Sequence, residues 1–182
     1  MASGSDETSA APGDLELVRR FVNTLDVETG SDELASPTQA TEWLRGQATP
    51  AEVGDRDLRQ LHELREALRD LAGAQGTADR GEALNAVDAI ASLHPVVVSL
   101  STPAVLAPAS RTGVDAFIER ILGLVAGATL DGSWDRMKTC ANDGCRWMYF
   151  DHSRNRSRTW CTMDLCGAQA KMRAFRSRHG PA

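Results

Sequence analysis

Hydrophobic residues recur at intervals of three and four through most of residues 14–130. This spacing places them on one face of a helix, while charged residues occupy the other faces. The predicted helices begin at Asp14, run from Ser36-Pro37 to Gly46, follow Thr49-Pro50, and span 83–93 and 113–126. The pattern therefore predicts a domain built mainly from amphipathic helices.

A short β element interrupts this helical pattern. Val96–Leu100 is apolar, rich in β-branched residues and preceded by Pro95, and Ala104–Ala107 is its predicted partner strand. The helix over 113–126 leads into Asp131-Gly132, which is a turn signal. We expect residues 14–133 to form an α-rich domain with a minor β element. The small polar residues of 1–13 predict a disordered leader.

The last quarter of the chain has a different pattern. Arg146–Phe150 is aromatic and β-prone, which places Cys140 and Cys145 at the turn of a hairpin, and Thr159–Cys161 is a candidate second strand. A helix is predicted over 163–178, with Cys166 in its first turn. Its apolar stripe consists of Leu165, Ala168, Met172 and Phe175. A knuckle, a hairpin and a ligand-bearing helix are the layout of a treble-clef finger over 136–180.

The chain has four cysteines, arranged as Cys140-x4-Cys145 and Cys161-x4-Cys166 with 15 residues between the pairs. Two short-spaced pairs are typical of a tetrahedral Zn²⁺ bound by four thiolates. Such a site is closed to water and substrate, so one structural zinc per chain is predicted. A redox dithiol and free buried thiols are the alternatives. Asp151 and His152 are substitute ligands of a suitable type.

Charge divides the chain into two parts. The net charge is −5, but residues from Arg136 onward hold ten Lys/Arg against three Asp/Glu, a net +7, and residues 1–135 carry −12. One-sided charge on a small module indicates contact with a polyanion, and a solvated charged face is the alternative. The candidate nucleic-acid contacts are Arg154, Asn155, Arg156, Arg158, Gln169, Lys171, Arg173 and Arg176, with Arg178 nearby. Trp147, Tyr149 and Trp160 are candidates for stacking on bases or for the core of the module.

Several classes of protein are disfavoured. The N-terminus lacks a secretion signal, and the charge-free span Ala89–Ser110 holds three prolines, which argues against a membrane helix. A cytoplasmic location is expected, where clustered cysteines are metal ligands rather than disulfides. His62 and His94 are isolated, and the residues offer no nucleophile–base pair. The sequence therefore does not predict an enzyme.

The stretch from Cys140 to Lys171 resembles the CGNR zinc finger of bacterial proteins. The matching residues are Cys140, Cys145-Arg146-Trp147, Phe150-Asp151, Ser153-Arg154-Asn155, Ser157-Arg158, Trp160-Cys161, Met163, Cys166-Gly167 and Lys171. In those proteins the finger follows an α-rich ABATE domain. Phe21–Asp26 is similar to the opening "vNTl" signature of that domain, and Leu64–Leu68 to its long helix.

The resemblance implies a transcriptional regulator in which the finger binds DNA and the ABATE domain senses a stress or a small-molecule effector. Ala168-Gln169 stands where the family has Asn-Arg, so a cationic contact is absent there, although Gln169 can still hydrogen-bond a base or a phosphate. A single small finger favours a homodimer formed through the helical domain. The alternative function is a zinc-stabilised interaction module that docks on the chain's own acidic helical domain or on another acidic protein, without binding DNA.

Overall fold

The computed structural model describes residues 9–74, 77–100 and 104–179. The structure is 53% helical, and its described residues form three small antiparallel hairpins, which confirms the predicted mainly-α class. The helices are α1 (Leu15–Val22), α2 (Pro37–Gly46), α3 (Asp55–Gly73), α4 (Thr77–Ala91), α5 (Gly113–Asp131) and α6 (Ala168–His179). The strands are β1 (Leu25–Asp26), β2 (Ser31–Asp32), β3 (Val96–Ser99), β4 (Val105–Pro108), β5 (Met137–Thr139) and β6 (Met148–Phe150).

The helical core forms where the apolar faces of α1, α3 and α5 meet. Phe21, Trp43 and Phe117 lie at its centre, with ring centroids 5.2 to 5.9 Å apart and tilted or edge-on contacts. Such geometry adds about 0.5–1.5 kcal/mol per pair beyond burial of the rings. The predicted amphipathic pattern is thus satisfied by helices packed on one another.

Some helix ends follow the predicted signals, but α4 already begins at Thr77, before the predicted 83, and α5 continues to Asp131, beyond the predicted 126. Ser36 accepts a hydrogen bond from the Gln39 amide at 3.3 Å and starts α2. Gly132, at φ +77°, ends α5 in the left-handed region that favours glycine. The helix expected after Thr49-Pro50 begins later, at Asp55, because the Asp57 carboxylate accepts from the Gly54 amide at 2.9 Å and fixes the first turn there.

The predicted β3–β4 hairpin is present, and residues 101–103 of its connection lie outside the described residues. Val96 faces Pro108 and Ser99 faces Val105 across the pair. In contrast to its apolar composition, no residue of its two strands is fully buried, and 66% of Val98 is accessible to solvent. The hairpin packs on α5, mainly through β4.

The β5–β6 hairpin belongs to the predicted finger, yet it packs into the helical core. Met148 and Phe150 of β6 and Met137 of β5 are buried in the same apolar cluster as the helices. The closeness is clearest at Gly73, where a Cβ would lie 2.6 Å from the Thr139 hydroxyl. Finger and helical domain therefore share one core.

The leader differs from its prediction as a disordered segment at 1–13. Residues 1–8 lie outside the described residues, but Ser9 and Ala10 are in contact with the finger, and Ala11 packs in the helical core. Ser9 is 1% exposed, its carbonyl accepts from the Phe150 amide at 3.0 Å, and its hydroxyl donates to the Cys161 carbonyl at 3.4 Å. Burial and backbone pairing hold this segment, although its small polar residues carry no sequence pattern that predicts order.

Candidate metal centre and nucleic-acid interface

The turn of the β5–β6 hairpin carries the first cysteine pair. The Cys140 amide donates to the Trp147 carbonyl at 2.9 Å, and the Cys145 amide donates to the Asn142 carbonyl at 2.7 Å. These bonds curl the loop so that both thiols point to its inner side. The Ala141 amide donates to the Thr159 carbonyl at 3.1 Å and brings the second pair alongside.

All four cysteine sulfurs meet within 4.8 Å of one another, and all four residues are buried. The Sγ atoms of Cys145 and Cys161 are 3.6 Å apart, and those of Cys161 and Cys166 are 3.7 Å apart. A tetrahedral zinc with Zn–S bonds of about 2.3 Å requires an S–S separation of about 3.8 Å. Donor type, number and spacing all fit one structural Zn²⁺.

Zinc bound here holds a segment too small for a core of its own, because metal affinity contributes directly to folding. Hydrogen bonds among the thiols lower the pKa of Cys140 and raise the pKa of Cys145 and of Cys161. The donor set is complete with four thiolates, so it leaves no open coordination position for a substrate.

Cys166 reaches the cluster from a wide π-type turn, Met163–Gly167, and not from the first turn of the helix as predicted. The Gly167 amide donates to the Thr162 carbonyl at 3.1 Å, and α6 begins only at Ala168. The extra residue in this turn aims the Cys166 sulfur inward. The predicted strand at Thr159–Cys161 is wrong, since these residues form no ladder.

Polar and aromatic groups enclose the sulfurs. The Asn142 amide donates to Cys166 Sγ at 3.7 Å and to the Gln169 side-chain oxygen at 3.2 Å. Tyr149 is fully buried against the cysteines, and Trp147 and Trp160 pack there partly buried. The aromatic residues are therefore core residues of the finger, one of the two roles that the sequence left open.

Asp151 and His152 are not metal ligands. Asp151 is fully buried and accepts hydrogen bonds from Lys138 Nζ at 2.8 Å, from the Ser153 amide at 2.9 Å and from the Arg158 amide at 3.0 Å. Burial raises the pKa of this carboxyl, but these donors outweigh burial and hold the pKa at about 2. His152 is exposed and donates to the Ala10 carbonyl at 2.8 Å.

Arg158, predicted as a nucleic-acid contact, directs its guanidinium into the finger. It lies 4.7 Å over the Tyr149 ring and donates to the carbonyls of Trp160, at 2.9 Å, and Cys161. It also reaches the Ser9 hydroxyl at 3.2 Å. These contacts hold the second cysteine pair against the leader, so Arg158 stabilises the zinc site from inside.

Arg154, Lys171 and Arg176 are exposed, and the structure gives their side chains no acidic partner among the described residues. Asn155 is exposed next to Arg154. The remaining candidates on the outer surface, Arg156, Gln169 and Arg173, are exposed and also make contacts within the protein. Arg156 Nη1 lies 3.3 Å from Asp135, Arg173 donates to Asn142 at 3.4 Å, and Gln169 accepts from Asn142.

The predicted apolar stripe of α6 faces solvent. Leu165 is 63% exposed, Met172 53% and Phe175 54%. Lys171 and Arg176 flank the stripe, because helical spacing places one on each side of it. Exposed apolar side chains bordered by cations are typical of a helix face that contacts another molecule.

The seam between finger and helices depends on residues that the sequence analysis did not name individually. The Asn23 side chain pairs with Met148 as a strand would, donating to its carbonyl and accepting from its amide, both at 2.8 Å. Buried Arg69 donates to the carbonyls of Arg146 and Val22. Burial lowers the pKa of Arg69. The "vNTl" signature, which contains Asn23, was the one feature of the sequence that pointed to a residue of this contact.

His62 and His94 lie away from the metal centre. His62 donates to the Leu34 carbonyl at 2.9 Å, and His94 lies at the end of α4 against Gln60 and Asp115. Both are structural. In the described segments no helix is long and apolar enough to cross a bilayer.

Comparison with protein families assigns both parts of the chain. Residues 15–132 match the ABATE family, which is described as a "putative stress-induced transcription regulator", and residues 136–179 match the CGNR zinc finger. A search of curated proteins finds no significant match. The first match covers well over half of the chain and the second covers the cysteine cluster. The chain therefore belongs to the ABATE family and carries a C-terminal CGNR zinc finger.

Proposed function

We propose that this chain is a cytoplasmic DNA-binding transcription regulator whose zinc-held finger grips the phosphate backbone. The observation that carries the proposal is the division of the finger's cations. Arg158 is used inside the finger and Arg146 pairs with Asp70, whereas Arg154, Lys171 and Arg176 are exposed without an acidic partner in the described chain.

The exposed side chains of Arg154, Lys171 and Arg176 are suited to binding phosphate. Guanidinium and ammonium groups release counterions when they meet a polyanion, and the Asn155 and Gln169 side chains add neutral donors. Arg156 and Arg173 can leave their surface contacts for phosphate with little loss of stability. The exposed ion pair of Arg156 contributes only about 0–1 kcal/mol, and the contact of Arg173 is a single long hydrogen bond. The proposed contacts are therefore Arg154, Asn155, Arg156, Gln169, Lys171, Arg173 and Arg176, with Arg158 as their internal support.

The outer face of α6 is the part that would enter a groove. Its stripe of Leu165, Met172 and Phe175 has the character that contacts thymine methyl groups in the major groove. Lys171 and Arg176 on either side would rest on the two flanking phosphate rows. Gln169 is tied to Asn142, so apolar contact and backbone shape dominate base reading in this proposal.

Binding of duplex DNA by the full-length, zinc-loaded protein tests the proposal. Fluorescence anisotropy is measured across a salt series for the wild type and for Arg154→Ala/Lys171→Ala/Arg176→Ala. We expect the salt slope of the triple variant to fall by roughly 3, because each phosphate contact contributes about 0.9. Arg45→Ala removes an exposed arginine of α2 and should leave the slope unchanged. A wild-type affinity that does not vary with salt would contradict the proposal.

The second candidate is an interaction module for an acidic protein, and the exposed stripe of α6 supports it. The finger already packs on the chain's own helical domain, but it does so through β5–β6, and Arg154, Lys171 and Arg176 remain exposed to solvent. The isolated segment 136–182 would lose that cover, so the full chain is the right material. Absence of DNA binding with retained binding of an acidic polypeptide favours this candidate.

We further propose that the helical domain carries the sensing and dimerising roles. A cavity of about 740 Å³ lies between the β3–β4 hairpin and α5 and is lined mainly by apolar side chains, including Leu106 and Leu124. It is the candidate site for a small apolar effector. A single DNA-binding module buries only about 600–1,000 Å², so two fingers in a homodimer would give a more useful affinity.

A further inference from the structure

The cavity between the β3–β4 hairpin and α5 follows the last part of that helix, from Gly123 to Asp131. At a rise of about 1.5 Å per residue, this part of α5 is about 12 Å long. Most of the lining is apolar, with Leu15 from α1, Leu106 from β4 and Leu124 from α5. This length and lining suit the carbon skeleton of a small organic molecule.

Two glycines of α5 shape this cavity in different ways. A Cβ added at Gly123 would lie 2.9 Å from the Leu106 carbonyl oxygen, so this glycine allows the hairpin to approach the helix closely. A Cβ added at Gly127, one turn later, would meet no atom within 4 Å. Glycine inside a helix is less favourable than alanine, and at Gly127 its absent side chain leaves the floor of the cavity open.

Two carboxylates also line the cavity. Asp14 and Asp131 are both exposed, which places them at the rim that faces solvent. Hydrogen bonds from Ser133 lower the pKa of the Asp131 carboxyl, which is therefore charged at neutral pH. No Lys, Arg or His is among the described lining residues, and no described basic group forms an ion pair with either carboxylate.

The end of α5 adds negative potential at the same rim. Asp131 is the last residue of the helix, and Gly132 caps it in the left-handed region. Carbonyl groups at a helix C-terminus carry a partial negative charge, which basic side chains in the last turn commonly offset. The last turn of α5 contains no basic residue. The rim is therefore suited to a positive charge that the described part of the chain does not supply.

We infer that the ligand of this cavity is an amphipathic organic cation, with its apolar body against Leu106 and Leu124 and a protonated amine at Asp14 and Asp131. The inference rests on the effector site of the proposed function and names the chemical class of the effector. A carboxylate ligand would meet like charges at the rim, and an inorganic cation would leave the apolar lining unused.

The cavity also touches both segments that connect the helical domain with the finger. Pro12 belongs to the leader, in which the Ser9 carbonyl accepts from the Phe150 amide. Ser133 lies on the other segment, four residues before β5 begins at Met137. A molecule that contacts Pro12 and Ser133 would therefore act on both connections to the finger, as an effector requires.

Isothermal titration calorimetry of the zinc-loaded full chain tests the inference. The probes are phenylbutylamine, phenylbutanol and phenylbutyrate, which share one apolar body and differ in the charge of the head group. We expect the amine to bind roughly tenfold more tightly than the alcohol, since two exposed ion pairs together contribute about one power of ten in affinity. The carboxylate should bind most weakly.

Charge-removal variants locate the source of this preference. Asp14→Asn/Asp131→Asn should abolish the preference for the amine and leave the affinity for the alcohol unchanged. Asn at position 131 keeps an oxygen for the Ser133 amide, and the Asp14 side chain makes no capping hydrogen bond. The matched control, Asp55→Asn/Asp88→Asn, removes two exposed carboxylates outside the cavity and should retain the preference.

A cavity-filling variant locates the apolar body. Gly127→Leu should weaken the binding of all three probes, because its side chain occupies the open floor. Gly81→Leu is the control, since Gly81 lies in α4 with open space around it and away from the cavity lining. Circular dichroism and zinc content establish that each variant is folded.

The inference is overturned if no probe binds, if the amine and the alcohol bind equally, or if Asp14→Asn/Asp131→Asn keeps the preference for the amine. Equal binding that Gly127→Leu abolishes would leave the cavity as an apolar effector site, so that only the cationic class is wrong. A DNA affinity that does not vary with salt would contradict the regulator and leave the preference for the amine standing.

Discussion

The hairpins β3–β4 and β5–β6 each contain an apolar strand, but one of these strands is exposed to solvent and the other is buried. Each is a two-stranded antiparallel ribbon with a strand of consecutive apolar residues, Val96–Val98 in β3 and Met148–Phe150 in β6. All three residues of β6 are buried, whereas Val97 and Val98 are exposed. Apolar composition alone therefore does not determine burial of a strand.

The two strands are buried to different extents because they differ in what covers the second face of each. Met148 and Phe150 face the helical core, while Tyr149 between them faces the cysteines. The metal centre is thus the second layer for β6, as a helix or a second sheet would be for an ordinary strand. β3 has α5 on one side and no second layer among the described residues.

Removal of zinc should affect the two hairpins very differently, and this is the largest effect we expect. Chelation releases the cysteines that cover Tyr149, so amide exchange in 137–150 should accelerate by at least about 1,000-fold, equivalent to about 4 kcal/mol. Amides of β3–β4 should change little. Hydrogen exchange followed by mass spectrometry, with and without chelator on the full chain, measures both hairpins in one sample. Equal changes in the two hairpins would show that zinc does not act as the second layer of β6.

The pair of Lys138 and buried Asp151 should have the next largest effect, because it ties the end of β6 to β5, and β3–β4 has no such ion pair in the described chain. Asp151→Asn should lower the free energy of unfolding by about 3 kcal/mol, since the fully buried acceptor of Lys138 Nζ and of two backbone amides then loses its charge. Urea denaturation of both proteins measures the difference. The control is Ser153→Ala in the turn next to Asp151, which should lower the free energy of unfolding much less.

The pH dependence of this loss follows from the lowered pKa of Asp151. The folded pKa of about 2 lies below the unfolded value of about 3.9. The contribution is therefore fully present above the unfolded pKa and is lost as the pH falls through the folded pKa. Between about pH 6 and about pH 8 the difference between Asp151→Asn and the wild type should stay constant. A difference that varies across this range would mean that another group titrates with it.

Much of this arrangement could be predicted from the sequence, because local patterns determine it. Periodicity at three and four residues predicts the helices, and the two cysteine pairs predict the four residues that could bind the metal. Turn signals such as Asp131-Gly132 also act locally. These features need no knowledge of distant parts of the chain.

The rest depends on contacts between distant residues. β1 and β2 are two residues each, too short for any periodicity, and they are held by Arg65, which donates to both oxygens of Asp32. A charge count cannot show that Arg158 turns inward while Arg154 does not. The stripe on α6 was predicted, but periodicity shows only that a helix has an apolar face and not what that face contacts.

The smallest effect should come from the seam between α1 and β6, and it tests whether the helical core covers the first face of that strand. Asn23→Ala leaves the buried amide and carbonyl of Met148 without partners, so the free energy of unfolding should fall by about 2 kcal/mol. Urea denaturation compares it with Asn85→Ala on the exposed face of α4, where about 0.5 kcal/mol or less is expected. Hydrogen exchange should show the loss at Met148 and not at β3, since only β6 uses Asn23 as a substitute strand. Equal stability of the two variants would mean that apolar packing of Met148 and Phe150 alone holds the finger on the helices.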